Sequence, residues 1–252
     1  MTGSVQDGQG ASGASQKMAL IEERPSPNHD ARPGERAPDL ILLHYTGMPS
    51  GEEALARLCD PAAKVSAHYF IEETGRLRRL VPESRRAWHA GLSTWQGQPA
   101  VNDRSIGIEL VNPGHEWGYR PFPPAQMAAL LELLSVLRAR WRIPASGLAG
   151  HSDVAPLRKE DPGELFDWAA LAAAGHGLWP ARALPRQPDA PAARSALARI
   201  GYGYLDEDFP AVLRAFQRRF RPRRPDGRLD SETMGLILAV AELCAGQAES
   251  GT

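Results

Sequence analysis

The chain has 252 residues, 23% of them charged and 42% hydrophobic, with 29 lysines and arginines against 30 acids and a net charge of −1. That length suits one or two domains with a real core, and the balanced charge sets up no global field toward nucleic acid or an anionic membrane. Cys59 and Cys244 stand far apart, which excludes a disulfide scaffold or a cysteine-built zinc site, and no apolar run approaches the roughly 18 residues of a membrane span.

Residues 1–34 are polar and broken by proline, and read as a disordered or loosely attached arm. Neither Met1 nor Met18 opens a basic region followed by an apolar core, and no lipoprotein cysteine lies near the start. The sequence as written therefore predicts a cytoplasmic protein, with the periplasm or envelope as the alternative if the start is truncated.

From Ala37 the pattern changes. Asp39 to Tyr45 is a nearly continuous apolar run, as in a strand buried on both faces. Glu52 to Leu58 is a short helical candidate, Ser66 to Glu72 a strand, and Gly75 turns the chain into another strand at Leu77–Val81. Between Ser105 and Val111, Ile106, Ile108 and Leu110 alternate with Ser105, Gly107 and Glu109. Pro123-Pro124 opens the clearest helix, in which Met127, Leu130, Leu131, Leu134, Leu137 and Trp141 recur at helical spacing. Leu148–His151 suits an edge strand, and Asp167 to Ala174 a second helix. Strands interleaved with helices predict an α/β fold over residues 35–179, a mixed central sheet flanked by helices. Four prolines between 180 and 191 mark a linker. Residues 192–247 then carry three helices, at 194–200, at 209–220 and from Ser231 with Asp230 as its N-cap.

The segment from Gly150 to Gly163, GHSDVAPLRKEDPG, places His151, Lys159 and Asp161 in one proline-pinned loop. His44, ending a buried apolar strand, needs partners for its ring nitrogens. With His151 and Asp161 it makes a His, His, Asp set that zinc accepts, leaving a fourth position for water. Such a set from distant segments is a weak signal on spacing alone. Glu109 sits opposite the apolar face of its strand; it is a solvated charge, or a general base if that face fronts the same cleft. Trp88 and His89, in a loop, are candidates for contact with substrate or for packing. His68, mid-strand, reads as structural, and His29, His115 and His176 receive no role.

VSAHY (65–69), RAWHAG (86–91), NDRSIGIEL (102–110) and the 150–163 segment together resemble the zinc-dependent N-acetylmuramoyl-L-alanine amidases of the AmpD/AmiD type. The resemblance covers roughly residues 40–180. It implies one zinc ion per chain held by His44, His151 and Asp161, with Glu109 as catalytic carboxylate and Lys159 stabilising negative charge. It also implies muropeptides or anhydromuropeptides as substrates, hydrolysed between the lactyl group and L-alanine. Arg158 is a candidate partner for a substrate carboxylate, beside Trp88 and His89.

The tail, with Ala215-Phe216-Gln217 to Phe220, Asp226-Gly227 and Asp230-Ser-Glu-Thr233, resembles a three-helix peptidoglycan-binding domain. That implies contact with polymeric peptidoglycan, as in the AmiD branch. Seven arginines between 214 and 228 against the single acid Asp226 allow a rival nucleic-acid reading, which Phe216 and Phe220 at core spacing do not favour. A third reading, a peptidoglycan sensor without catalysis, is disfavoured by the complete set of zinc positions. Oligomeric state is not legible.

Overall fold

The computed structural model describes residues 21–250. Its strands are β1 (Glu22–Glu23), β2 (His29–Ala31), β3 (Leu40–Tyr45), β4 (Tyr69–Ile71), β5 (Leu77–Arg79), β6 (Arg85–Ala87), β7 (Thr94–Trp95), β8 (Gln98–Pro99), β9 (Ser105–Leu110) and β10 (Leu148–Gly150). The helices are α1 (Gly51–Cys59), α2 (Gly114–Trp117), α3 (Pro124–Trp141), α4 (His151–Val154), α5 (Trp168–Ala173), α6 (Ala190–Ile200), α7 (Phe209–Phe220) and α8 (Ser231–Ser250). Six strands make the central sheet in the order β1-β5-β4-β9-β3-β10. All neighbours are parallel except the β4–β5 hairpin.

The alternation in β3 and β9 assigns the two faces of the sheet. Ile41 and Leu43 lie in register with Ile106 and Ile108, and this face packs on Leu130, Leu133, Leu134 and Leu137 of α3. The opposite face changes character along the strands. At their N-terminal ends Leu40, Leu42 and Ala149 join one core with Ala196, Leu197, Phe216, Phe220 and Ile237 of the C-terminal helices. At their C-terminal ends His44 and Glu109 stand side by side in register. Parallel partners project to the same side, so the sheet itself brings these two polar groups together. The C-terminal helices are thus an extension of the core.

Packing places two polar stretches that composition leaves loose. Residues 1–20 of the expected arm lie outside the described residues, but 21–34 are built into the fold. β1 adds an edge to β5, and β2 pairs with β6. Ser26, Asn28 and Arg32 are buried. Ser26 Oγ donates to the Leu58 carbonyl at 2.5 Å, and Asn28 Nδ2 to those of Asp60 and Val65 at 2.8 and 2.9 Å. Polar composition reads as solvated, yet here it satisfies carbonyls that folding buries. The proline-rich stretch after residue 180 is likewise laid along α8. Arg186 N–H donates to the Ser231 carbonyl at 2.9 Å, and a Cβ on Gly235 would collide with the Leu184 carbonyl oxygen.

Candidate active site

His151 is expected to end a strand; instead β10 stops at Gly150 and His151 starts the four-residue helix α4. Asp153 caps the turn, its Oδ2 accepting from Gly150 N–H at 2.8 Å. The downstream loop returns to the same place, with Ser152 N–H donating to the Asp161 carbonyl at 2.9 Å. Gly163 then turns with φ +83°, and a Cβ there would strike the Tyr119 hydroxyl. Only glycine fits such a turn without strain.

These elements bring His44, His151 and Asp161 together, all buried. His44 Nδ1 lies 3.0 Å from His151 Nδ1 and 3.0 Å from Asp161 Oδ2, and His151 Nδ1 lies 3.1 Å from the same oxygen. The far sides of the rings determine where their protons sit. His151 Nε2 faces the Ala90 carbonyl at 3.0 Å, an acceptor only, so Nε2 carries the hydrogen. His44 Nε2 meets His89 Nδ1 at 3.1 Å, His89 Nε2 meets Ser105 Oγ at 3.3 Å, and that hydroxyl donates to the Val101 carbonyl at 2.7 Å. Followed back from Val101, the chain makes His89 a donor at Nε2 and an acceptor at Nδ1, and makes His44 a donor at Nε2. Both Nδ1 atoms therefore present lone pairs toward a carboxylate oxygen.

Three acceptors facing one another need a cation between them. Four ligands at about 2.0–2.1 Å in a tetrahedron stand roughly 3.3–3.4 Å apart, close to the observed triangle, so the donor set fits zinc. Burial and the neighbouring His151 lower His44 to about 4, which keeps it neutral. Burial alone would raise the Asp161 carboxyl, but His151 and His44 hold it well below the usual carboxylate range.

Glu109 lines the same cleft, a cavity of about 480 Å³ bordered also by Arg57, Leu58, His115, Arg158 and Lys159. Burial, reinforced by Asp161, raises its carboxyl well above the ordinary value, and Lys159 opposes the shift. Its Oε2 is buried with no hydrogen-bond partner among the described residues.

The candidate substrate contacts fare differently. Trp88 does not line the cleft; its side chain lies by Asp30 and helps lower that carboxyl, after Arg86. His89 borders the cleft, but both ring nitrogens are engaged behind His44. Its ring lies on Gly107, where a Cβ would come within 2.5 Å. Arg158 directs its guanidinium at backbone, with Nε donating to Leu92 O at 3.0 Å and Nη2 to Leu92 O at 2.6 Å and to Ala90 O. It pins the loop that receives His151 Nε2. His68 is structural as expected: its Nδ1 accepts from Gly107 N–H at 2.9 Å and its Nε2 lies 3.0 Å from Arg32. His115, given no role from sequence, lines the cleft beside Tyr45, 2.9 Å from its hydroxyl, and Glu164 raises its pKa. Ser105 was visible only as a polar alternation residue, and nothing in the sequence marks it as the anchor of His89.

Residues 34–164 match the N-acetylmuramoyl-L-alanine amidase family, and 186–237 a peptidoglycan binding domain. The chain is 38% identical over 229 residues to the N-acetylmuramoyl-L-alanine amidase AmiD of Escherichia coli, covering 81% of this chain and 82% of that protein. It is 38% identical over 169 residues to the 1,6-anhydro-N-acetylmuramyl-L-alanine amidase AmpD of Enterobacter cloacae, covering 60% and 88%. The structure of E. coli AmiD with its substrate anhydro-N-acetylmuramic acid-L-Ala-D-gamma-Glu-L-Lys superposes with a TM-score of 0.75 at 36% identity, over 89% of this chain and 94% of that one. That of AmpDh3 from Pseudomonas aeruginosa with anhydromuramic pentapeptide gives 0.71 at 30%, over 87% and 95%.

Proposed function

This chain belongs to the N-acetylmuramoyl-L-alanine amidase family, and on that premise we propose that it is a zinc-dependent enzyme of muropeptide turnover. It hydrolyses the amide between the lactyl group of N-acetylmuramic acid, or its 1,6-anhydro form, and L-alanine of the stem peptide. The observation that carries this reading is the meeting of three lone-pair-bearing atoms, His44 Nδ1, His151 Nδ1 and Asp161 Oδ2, in one cleft with the unpartnered Glu109 Oε2.

Those three residues would hold the zinc, which when bound supplies Lewis-acid polarisation of the amide carbonyl and a lowered pKa for water. Glu109 takes the proton from the attacking water at Oε2 and passes it to the leaving nitrogen of L-alanine. Burial suits it to both tasks, because a raised pKa brings a carboxylate closer to the working pH. Lys159 presents its ammonium to the oxygen on which negative charge develops. His89 holds the His44 ring from behind, and Arg158 fixes the loop whose Ala90 carbonyl receives His151 Nε2. The peptidoglycan binding domain match at 186–237 supports contact with polymeric peptidoglycan as well.

The test is chromatography with mass detection after incubation with a soluble 1,6-anhydromuropeptide, with and without a chelator. The expected result is free stem peptide beginning at L-alanine, abolished by chelation and restored by zinc. Intact substrate with the zinc-loaded protein, on both the soluble muropeptide and isolated cell wall, would overturn it.

A further inference from the structure

Two consecutive arginines of α7 reach out of the C-terminal unit, to the α4 turn that carries His151 and to the loop that carries Asp161. Arg219 Nη1 donates to Asp153 Oδ2 at 3.0 Å and to the Leu148 carbonyl at 3.0 Å. Arg218 Nη2 donates to Glu160 Oε1 at 2.6 Å, one residue before Asp161. A third contact comes from the turn after α6, where the Tyr202 hydroxyl donates to Asp153 Oδ1 at 2.6 Å.

Asp153 is the hinge of this arrangement. It is 1% exposed and two residues from His151, and it accepts from Gly150, Tyr202 and Arg219 together. One carboxylate thereby ties the end of β10, the start of α4 and two positions of the C-terminal unit to one another. Arg219 is itself locked, its guanidinium lying 4.1 Å from the Trp168 ring centroid. The same tryptophan, with Pro162, closes over Gly150, leaving no room for a Cβ there. Burial and Asp153 keep the Tyr202 hydroxyl protonated and donating.

We infer that the C-terminal helical unit is a brace for the metal site as well as a wall-binding module, with Arg219 and Tyr202 as positioning residues that act through Asp153 to aim His151 Nδ1. The inference rests on the zinc reading given above. Outer partners of metal ligands commonly alter metal affinity by about 10–100-fold. Arg219 and Tyr202 stand one step further out, on Asp153 rather than on a ligand, and they come from a separate sequence region, so the C-terminal unit supports the turn from which His151 projects. A buried carboxylate that loses a donor is left with an unmatched oxygen, and its remaining bonds hold the α4 turn less firmly.

The experiment measures zinc affinity by chelator competition, and the rate of zinc release, on the full chain. Tyr202→Phe removes one hydroxyl and leaves the packing in place; weaker binding is expected, by less than the about tenfold lower end for a direct outer partner. Arg219→Gln, which also unties the Leu148 carbonyl, is expected to weaken binding further, by about tenfold. Should Arg219→Gln fail to fold, Arg219→Lys keeps the charge and gives an intermediate loss. Two controls separate positioning from general stability. Ile237→Val loosens the core of the same unit, and Arg223→Gln removes an exposed cation from it; both are expected to leave zinc release unchanged. Wild-type zinc binding in Tyr202→Phe and the Arg219 variants would overturn the brace while leaving the zinc reading intact. So would an equal loss in Ile237→Val. Failure of the wild type to bind zinc would overturn both, and would show in the first arm of the experiment.

Discussion

The floor of the cleft and the arginine-rich segment from α7 to α8 both concentrate charge, and they treat it in opposite ways. In the C-terminal segment the cations find acids. Arg218 pairs with Glu160, Arg219 with Asp153, Arg221 with Asp226 and Asp230, Arg223 with Glu232, and Arg224 with Asp226. Five of seven arginines are thereby matched, and the basic field that would attract nucleic acid is largely neutralised within the fold. In the cleft, two histidine lone pairs and a carboxylate converge without a donor, and Glu109 Oε2 has no partner among the described residues. Paired charge holds shape, whereas three acceptors facing one another beside an unmatched carboxylate oxygen call for a cation.

The largest test of this contrast is Glu109→Gln. It is expected to lower kcat by about 10²–10⁴-fold while zinc content, measured by elemental analysis, stays at the wild-type level. Activity near wild type would remove Glu109 from the mechanism. Lys159→Met comes next, with a fall of about 10²–10³-fold in kcat; a loss confined to KM would make Lys159 a binding residue instead.

His89→Ala sharpens the reading of the cleft's back wall. It unties His44 Nε2, and zinc affinity by chelator competition is expected to fall by about 10–100-fold. A change in KM with zinc affinity intact would return His89 to the role of a substrate contact.

A smaller effect concerns stability of the metal-free protein. Glu109 has a folded pKa raised above its unfolded value by burial and Asp161. The folded state therefore holds the proton longer, and stability falls as pH rises from the unfolded pKa through the folded one. Glu109→Gln removes that penalty. Metal-free Glu109→Gln is expected to melt above the wild type at neutral and alkaline pH, with the gap closing toward pH 4, as calorimetry would measure. A gap that does not depend on pH would contradict the raised pKa.

The smallest effect is expected in the tail. Arg223 is 75% exposed in its pair with Glu232, and exposed pairs contribute less than about 1 kcal/mol. Arg223→Ala should leave thermal unfolding nearly unchanged. The full chain should not retard duplex DNA at physiological salt, and salt-sensitive binding would reopen the nucleic-acid reading.

Much of the site was legible because its parts lie in short local patterns. The apolar run ending in His44, the alternation that puts Glu109 opposite Ile108, and the 150–163 loop each bound their own chemistry, and the resemblance joined them. The helix at 209–220 appeared with the bounds the spacing suggests. Side chains whose meaning lies in a distant neighbour were not legible. Arg158 looks like a free cation until the Leu92 and Ala90 carbonyls are set beside it. Asp153 is one letter of a motif until Arg219, 66 residues later, reaches it.

The amino-acid sequence on its own determines the donor types, the strand that ends in His44 and the helices that cover the sheet, since periodicity and residue chemistry act over a few residues. Only the tertiary structure decides which ring nitrogen is bare, which carboxylate is left unmatched, and that the polar segment at 21–34 and the C-terminal helices belong to the core. Hydrogen-bond satisfaction and burial depend on what the whole chain places around a group, and no local pattern contains that information.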